Sequence, residues 1–278
     1  MKADGWGIEL YKGLRRMAFI FVGLAVGLVS GLLGVGGGIL LVPALAWLFG
    51  IRGNRGHGTS LAAIAPVAFI TALFYAHNGH MDWLAAILLA IGGIIGAAIG
   101  AKVGREQIST GVRRYAWIAV GLIGLGWIVQ GIMLQSGRIV PMMPEMPTAS
   151  IAGVALMVVV GTVVGILSGM FGIGGGILLV PALVFFGFPQ VLAEGVSIAV
   201  VFPASFSGAL IHAKQGNVNG NAALWLAVGG IIGGLIGAHF AFHWPVAVLR
   251  GLFGLLMVVA AVLMGRERIA GSEEAGSR

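Results

Sequence analysis

The residues best placed to do chemistry in this chain come in two matched sets. Ser30, Gly34, Gly36, Gly37, Gly38 and Pro43 lie within GLVSGLLGVGGGILLVPAL, residues 27–45. Ser168, Gly172, Gly174, Gly175, Gly176 and Pro181 hold the same places within GILSGMFGIGGGILLVPAL, residues 165–183. Glycines that interrupt an apolar helix release backbone N–H groups and allow the positive-φ turns that gather them into an anion nest. The helix that resumes behind them offers the positive end of its dipole. Ser30 and Ser168 precede the breaks and add hydroxyl donors. The chemistry favoured is non-covalent capture of an anion inside an apolar environment. A single GVGGG would mean no more than a sharp hairpin. Two copies, each followed by a helix too short to span a bilayer, favour a substrate site.

Other ionisable residues are sparser. His77 and Lys214 match one another ahead of the turns GHMDW and GNVNG, and read either as interface anchors or as the lining of an anion path. Lys102 and His239 occupy matching helix ends, where snorkelling to the interface is expected. Asp82 and Glu194 read as turn residues, leaving no carboxylate within an apolar run. Carriers of neutral substrates coupled to protons or sodium often place carboxylates inside, so this pattern favours an anionic substrate. Thr59, Ser60 and Ser197 read as the starts of helices, where they could act as N-caps. No histidine pair has metal-ligand spacing, the chain has no cysteine, and no cofactor or metal is implied.

The elements that must position these groups are membrane helices. The chain has 278 residues, 59% hydrophobic and 9% charged, with a mean hydropathy of +1.04. A soluble domain is about one quarter charged. Continuous apolar runs of about twenty residues read as spanning helices, not as the alternating strands of a barrel. The net charge of +7 comes from residues in short loops and at the amino end, as the positive-inside rule expects, and not from a nucleic-acid surface.

The fold class read from this pattern is an all-α polytopic membrane protein of two inverted-topology repeats. Each repeat is a broken-helix hairpin plus three transmembrane helices. Residues 1–16 form a cytoplasmic segment, 17–134 the first repeat, 135–149 a proline-rich linker, 150–265 the second repeat and 266–278 a cytoplasmic tail. The second piece of the first hairpin, about a dozen residues, reaches only roughly 18 Å, little more than half a hydrocarbon core. Basic loops at 51–57 and 102–114 are expected inside, and the turns 77–82 and 135–148 outside. Each half then contains a hairpin plus an odd number of crossings, which sets the two halves upside down relative to each other. Inverted repeats with interrupted helices are the architecture of secondary transporters. Gly58 aligns with Gly195, Ser60 with Ser197, Pro66 with Pro203 and Gly79 with Gly216. The glycines at 92, 93, 96 and 100 align with those at 229, 230, 233 and 237, a small-residue spacing that reads as close helix packing.

The doubled pattern GxxSGxxGxGGGxLLVPxL, with a glycine-rich helix and a G-[HN]-[MV]-[DN] turn in each half, resembles the sulfite exporter TauE/SafE family of membrane permeases, within the 4-toluene sulfonate uptake permease superfamily. The resemblance covers roughly residues 18–264. It implies a secondary carrier that moves a small sulfur-containing anion, such as sulfite or an organosulfonate like sulfoacetate, across the bacterial inner membrane. Its motif marks Ser30, Gly34, Gly36–Gly38 and Pro43 with Ser168, Gly172, Gly174–Gly176 and Pro181 as substrate-binding. The expected partners are that anion and the lipid bilayer, with no nucleic acid. A coupling proton or ion, an oligomer, the direction of flux and the choice of anion are left open. Two rivals stand beside the carrier: a passive anion channel, and an intramembrane serine hydrolase. The hydrolase would need a serine beside a histidine, which this sequence does not place in one apolar run.

Overall fold

A computed structural model describes residues 5–106, 110–137, 150–171 and 175–276; side chains are described outside 5–12, 98, 100–106, 110–114, 116, 168–171 and 264–276. Among the described residues there are ten α-helices and no strand. They are α1 (Gly5–Leu33), α2 (Gly38–Phe49), α3 (Gly53–His77), α4 (Trp83–Glu106), α5 (Thr110–Gln135), α6 (Ile151–Phe171), α7 (Gly176–Phe185), α8 (Gln190–Lys214), α9 (Gly220–His243) and α10 (Val246–Gly276). Six described stretches are long and apolar enough to cross a membrane: 13–33, 53–77, 117–135, 190–214, 220–243 and 246–263. The chain is an all-helical polytopic membrane protein.

The two short helices are where hairpins are expected. α2 has 12 residues and α7 has 10, or about 18 Å and 15 Å of rise. Each contains a proline, Pro43 and Pro181, which removes one intrahelical hydrogen bond.

The strongest packing runs between the halves: α1 lies against α9, α4 against α6, α3 against α8 and α5 against α10. The glycines set the distance and the register. Methyl groups on Gly23, Gly27 and Gly31 would overlap the backbone of Leu226, Gly230 and Gly234 in the same order, so α1 and α9 run parallel. Gly229, Gly233 and Gly237 return the contact onto Ile20, Leu24 and Leu28. On α4 and α6, Gly92 and Gly96 face Val158 and Thr162, while Gly161 and Gly165 face Leu89 and Gly93, again parallel. Lipid tails are as apolar as leucine, so membrane helices associate through this kind of close backbone approach.

The pairs α3–α8 and α5–α10 run antiparallel. Gly58 near the start of α3 faces His212 and Asn217 at the end of α8, while Gly195 near the start of α8 faces Tyr75 and His80 at the end of α3. The turns match as well: His80 N donates to Tyr75 O and Asn217 N to His212 O, both at 2.9 Å. On the other pair, Gly131 meets Ala247 and Gly124 meets Gly254.

Several helix starts differ from expectation. α3 begins at Gly53 with Arg52 as its N-cap, so most of the basic 51–57 segment is helix. Gly58, just behind that segment, presses on His212 of α8 and on Asn217 beyond it. α8 begins at Gln190 with Pro189 as its N-cap, which puts residues 190–194 inside the helix. Thr59, Ser60 and Ser197 are therefore interior, and their N-cap reading is corrected. α1 runs without a break through residues 5–33, and α10 continues to Gly276. Most of the linker, 138–149, lies outside the described residues.

Candidate functional site

The break between α1 and α2 is a buried turn. Residues 30–37 are all buried, and Gly237, which packs on Leu32, stands six residues, about 9 Å, before the end of α9. Gly34, Gly36 and Gly37 have φ of 70°, 74° and 68°, a left-handed conformation that residues with a Cβ rarely adopt. Gly37 is the N-cap of α2 and no side chain caps that end. The turn is held by Gly34 N donating to Ser30 O at 2.9 Å and Gly38 N to Gly36 O at 2.9 Å.

Two side chains from other helices satisfy carbonyls that the broken α1 leaves exposed. Ser197 Oγ of α8 donates to Gly34 O at 2.7 Å, and Tyr75 Oη of α3 donates to Gly31 O at 2.7 Å. At membrane depth irregular backbone is tolerated only where protein or a water-filled cavity answers it. Here the two side chains answer it, and a small cavity lies beside them. Ser30, Gly36 and Gly37 line this cavity together with Gly23, Val26 and Gly27 of α1, Leu41 of α2, Ala63, Ile64 and Val67 of α3, and Leu226 and Gly230 of α9. The space for the centre of a water-sized sphere is about 20 Å³, room for about one water molecule. An oxyanion of four heavy atoms fits only after the surrounding helices part.

The first set is thus gathered unevenly. Ser30, Gly36 and Gly37 reach the cavity. Gly34 lies against the backbone of Glu194, and Gly38 faces Ile64. Pro43 is buried within α2. Of the second set, Gly172 and Gly174 lie outside the described residues, and Ser168 falls on α6 with its side chain outside them. Gly175 is the N-cap of α7 at φ −24°, outside the left-handed region that Gly34, Gly36 and Gly37 occupy. Gly176 presses on the carbonyls of Gly34 and Val35, at 2.9 and 2.7 Å from where its Cβ would stand. The second hairpin therefore abuts the first tip. Pro181 is half-buried in α7.

His77 and Lys214 are exposed in the last turns of α3 and α8 and do not line the cavity. Both stand at helix carboxyl ends, where the dipole favours a cation such as the Lys214 ammonium. His239 is exposed beside His243; the side chain of Lys102 lies outside the described residues.

Glu194 corrects the expectation that no carboxylate enters an apolar run. It lies in the second turn of α8 and is fully buried. Gln190 Nε2 donates to its Oε1 at 2.8 Å, and Tyr75 Oη stands 3.4 Å from its Oε2. The signal in the sequence was Pro189, which can start a helix, with Gln190 and Glu194 four apart on one face. Asp82, by contrast, is a helix-start residue as its turn position suggests, its Oδ1 accepting from Ala85 N at 2.9 Å. Arg250 was also missed. It is buried in α10, its Nη1 donating to Gln130 Oε1 at 3.2 Å and its guanidinium 5.9 Å from the Trp127 ring. Ser60, the equivalent of Ser197, is buried with no hydrogen-bond partner for its hydroxyl among the described residues.

Comparison with known proteins agrees with this architecture. The family described as Sulfite exporter TauE/SafE matches residues 5–127 and 157–278. A probable membrane transporter protein of Xylella fastidiosa (strain 9a5c) is 32% identical over 241 residues, 85% of this chain and 90% of its own. The probable membrane transporter protein YunE of Bacillus subtilis (strain 168) is 31% identical over 234 residues, 79% of this chain and 86% of its own. A more distant relative, the probable membrane transporter protein MJ0441 of Methanocaldococcus jannaschii, is 26% identical over 206 residues, 72% of this chain and 73% of its own. No solved structure matches. On the family match and on relatives covered over most of their length, this chain belongs to the sulfite exporter TauE/SafE family of membrane transporters.

Proposed function

We propose that the chain is a secondary transporter of a small sulfur-containing anion, sulfite or an organosulfonate such as sulfoacetate, across a bacterial inner membrane by alternating access. The observation that carries this reading is the buried α1–α2 tip. There, left-handed Gly36 and Gly37 and the serine at 30 line one cavity at the amino end of a short helix that no side chain caps. The positive dipole end of α2 and the Ser30 hydroxyl suit a negative ligand, while the N–H groups of Gly38, Leu40 and Leu41 are engaged by Gly36 O and Gly37 O. The substrate-binding residues are Ser30, Gly34, Gly36, Gly37, Gly38 and Pro43, with Ser168, Gly172, Gly174, Gly175, Gly176 and Pro181 supplying the second half of the site. His77 and Lys214 attract the anion at the two mouths. The halves are inverted repeats, a reading supported by the antiparallel packing of the equivalent helices α3 and α8, and of α5 and α10. Both termini are cytoplasmic, in line with the basic residues at the amino end and at 102–114.

The cavity is too small for the anion as it stands, so anion binding must widen it. Transport then requires the contact of Gly176 on the first tip to separate. The test is binding of sulfite, thiosulfate, sulfoacetate, taurine and sulfate to purified protein, followed by flux in proteoliposomes. Selective stabilisation by one sulfur anion over chloride, and its uphill accumulation on an ion gradient, are expected. Flux that no gradient can drive uphill points to a channel; no binding of any anion overturns the reading.

A further inference from the structure

Glu194 is buried at the place where α8 supports the first hairpin tip, and the anion chemistry makes no use of it. Its Cα lies 2.6 Å from where a Cβ on Gly34 would stand. Three residues along the same helix, Ser197 holds Gly34 O. Its two hydrogen-bonding neighbours, Gln190 and Tyr75, are uncharged side chains. An ionisable residue buried in a membrane helix is a functional residue by default.

The geometry at Tyr75 gives it a task. The phenol has one hydrogen and two acceptors in reach, Gly31 O at 2.7 Å and Glu194 Oε2 at 3.4 Å. When Glu194 carries a proton, its O–H donates to the phenolic oxygen and the phenol donates to Gly31 O; all three groups are satisfied in a chain. When Glu194 is ionised it is an acceptor only and competes with Gly31 O for that single hydrogen. If the carboxylate wins, the last turn of α1, three residues before Gly34, loses its tie to α3. We propose that Glu194 is the proton-binding site of the transporter, and that its protonation state reaches the anion site by switching Tyr75 between the carboxylate and the tip.

Among the described residues, the other titratable groups on the packed helices stand apart from the Tyr75–Glu194 pair; on α9, whose Phe242 packs on Tyr75, His239 and His243 are exposed. On α3, His77 is exposed in the last turn. From the turn that follows come His80, whose carbonyl covers Gly195 and whose ring packs on Phe242 at 4.7 Å, and Asp82, which accepts from Ala85 N. The tip residues 31–38 and α7 bring no titratable side chain. On α10, Arg250 is engaged with Gln130 and Trp127. The equivalent positions in the other half are His57 and His212, so the two ends of the α3–α8 pair carry opposite kinds of titratable group. Only the Glu194 end is tied to a described hairpin tip.

The inference rests on the transporter reading but can be tested without flux. The chain has no cysteine, so Val35→Cys places a single thiol in the tip. Its rate of maleimide labelling is measured from about pH 5 to about pH 9 in V35C and in V35C/E194Q, and the ratio cancels the thiol's own ionisation. The ratio should change at least about fivefold across the range; a flat ratio overturns the proposal. Should E194Q fail to fold, infrared spectra of the unmodified protein and of Tyr75→Phe take its place. A buried carboxyl band must titrate in both, while V35C labelling loses its pH-dependent component in Y75F. A wild-type spectrum without a titrating buried carboxyl overturns the proposal. Flux in proteoliposomes separates the two readings. A titrating ratio with no anion flux leaves the switch and sinks transport. Proton-driven flux in E194Q equal to wild type sinks the switch and leaves transport.

Discussion

Ser30 stands one turn before α1 breaks, and its Oγ lies 3.7 Å from where a Cβ on Gly37 would be. A hydrogen bond to a charged group is worth about 1.5–3 kcal/mol. Ser30→Ala is therefore expected to raise the anion Kd about 10- to 100-fold, read by calorimetric titration, with the melting temperature of the unliganded protein little changed. Gly37→Ala should act more severely: the new methyl enters at φ 68° and 3.0 Å from Val26 Cγ1, reshaping the cavity wall itself. Binding by G37A at the wild-type affinity would place the anion elsewhere. The break itself was legible because the chain writes its motif twice. Glu194 was not, because Phe188, Pro189 and the lack of nearby basic residues look like a loop. That a proline can sit at the cap and let the helix start at once was the physical fact that decided otherwise.

At the level of helices, the glycine pattern was read from spacing alone as close packing, and the contacts of α1 with α9 and α4 with α6 are of that kind. What spacing did not reveal was the partner: each glycine face meets a helix of the other half. Sequence neighbours in the hairpins instead pack loosely, as α1 on α2. The consequence is that the halves are not independently packed bodies. Gly233→Leu is expected to force α9 off α1, since even a methyl there would overlap the backbone carbonyl of Leu24. Overpacking of this kind costs about 1–3 kcal/mol or more, and should appear as early loss of the monodisperse peak on heating in detergent. An unshifted melt would mean that α9 can tilt away freely. Ser197→Ala makes a milder prediction. It leaves Gly34 O buried without its 2.7 Å donor, a loss of about 1–3 kcal/mol, confined to the tip. Faster exchange of the amides around residues 31–38, with the rest of the bundle protected, is the result to look for by hydrogen–deuterium exchange.

For the molecule as a whole, helix directions make a prediction about sidedness that charge counting reaches by a separate route. α1 is parallel to α9, and α3 is antiparallel to α8. The turn after α3, at Asn78, and the equivalent turn after α8, at Gln215, then open on opposite sides of the membrane. Lys and Arg bias puts Asn78 outside and Gln215 inside. Both side chains are exposed, and a chain without cysteine allows each to be replaced singly. In intact cells, N78C should react with an impermeant maleimide, while Q215C should react only after the membrane is opened. Labelling of both from the same side would break the inverted arrangement, and with it the pairing of two half-sites on which alternating access depends. Labelling from opposite sides, but with the sides exchanged, would keep the inversion and reverse the termini. The packing would then stand, and the charge bias of a chain with so few basic residues per loop would have misplaced the inside.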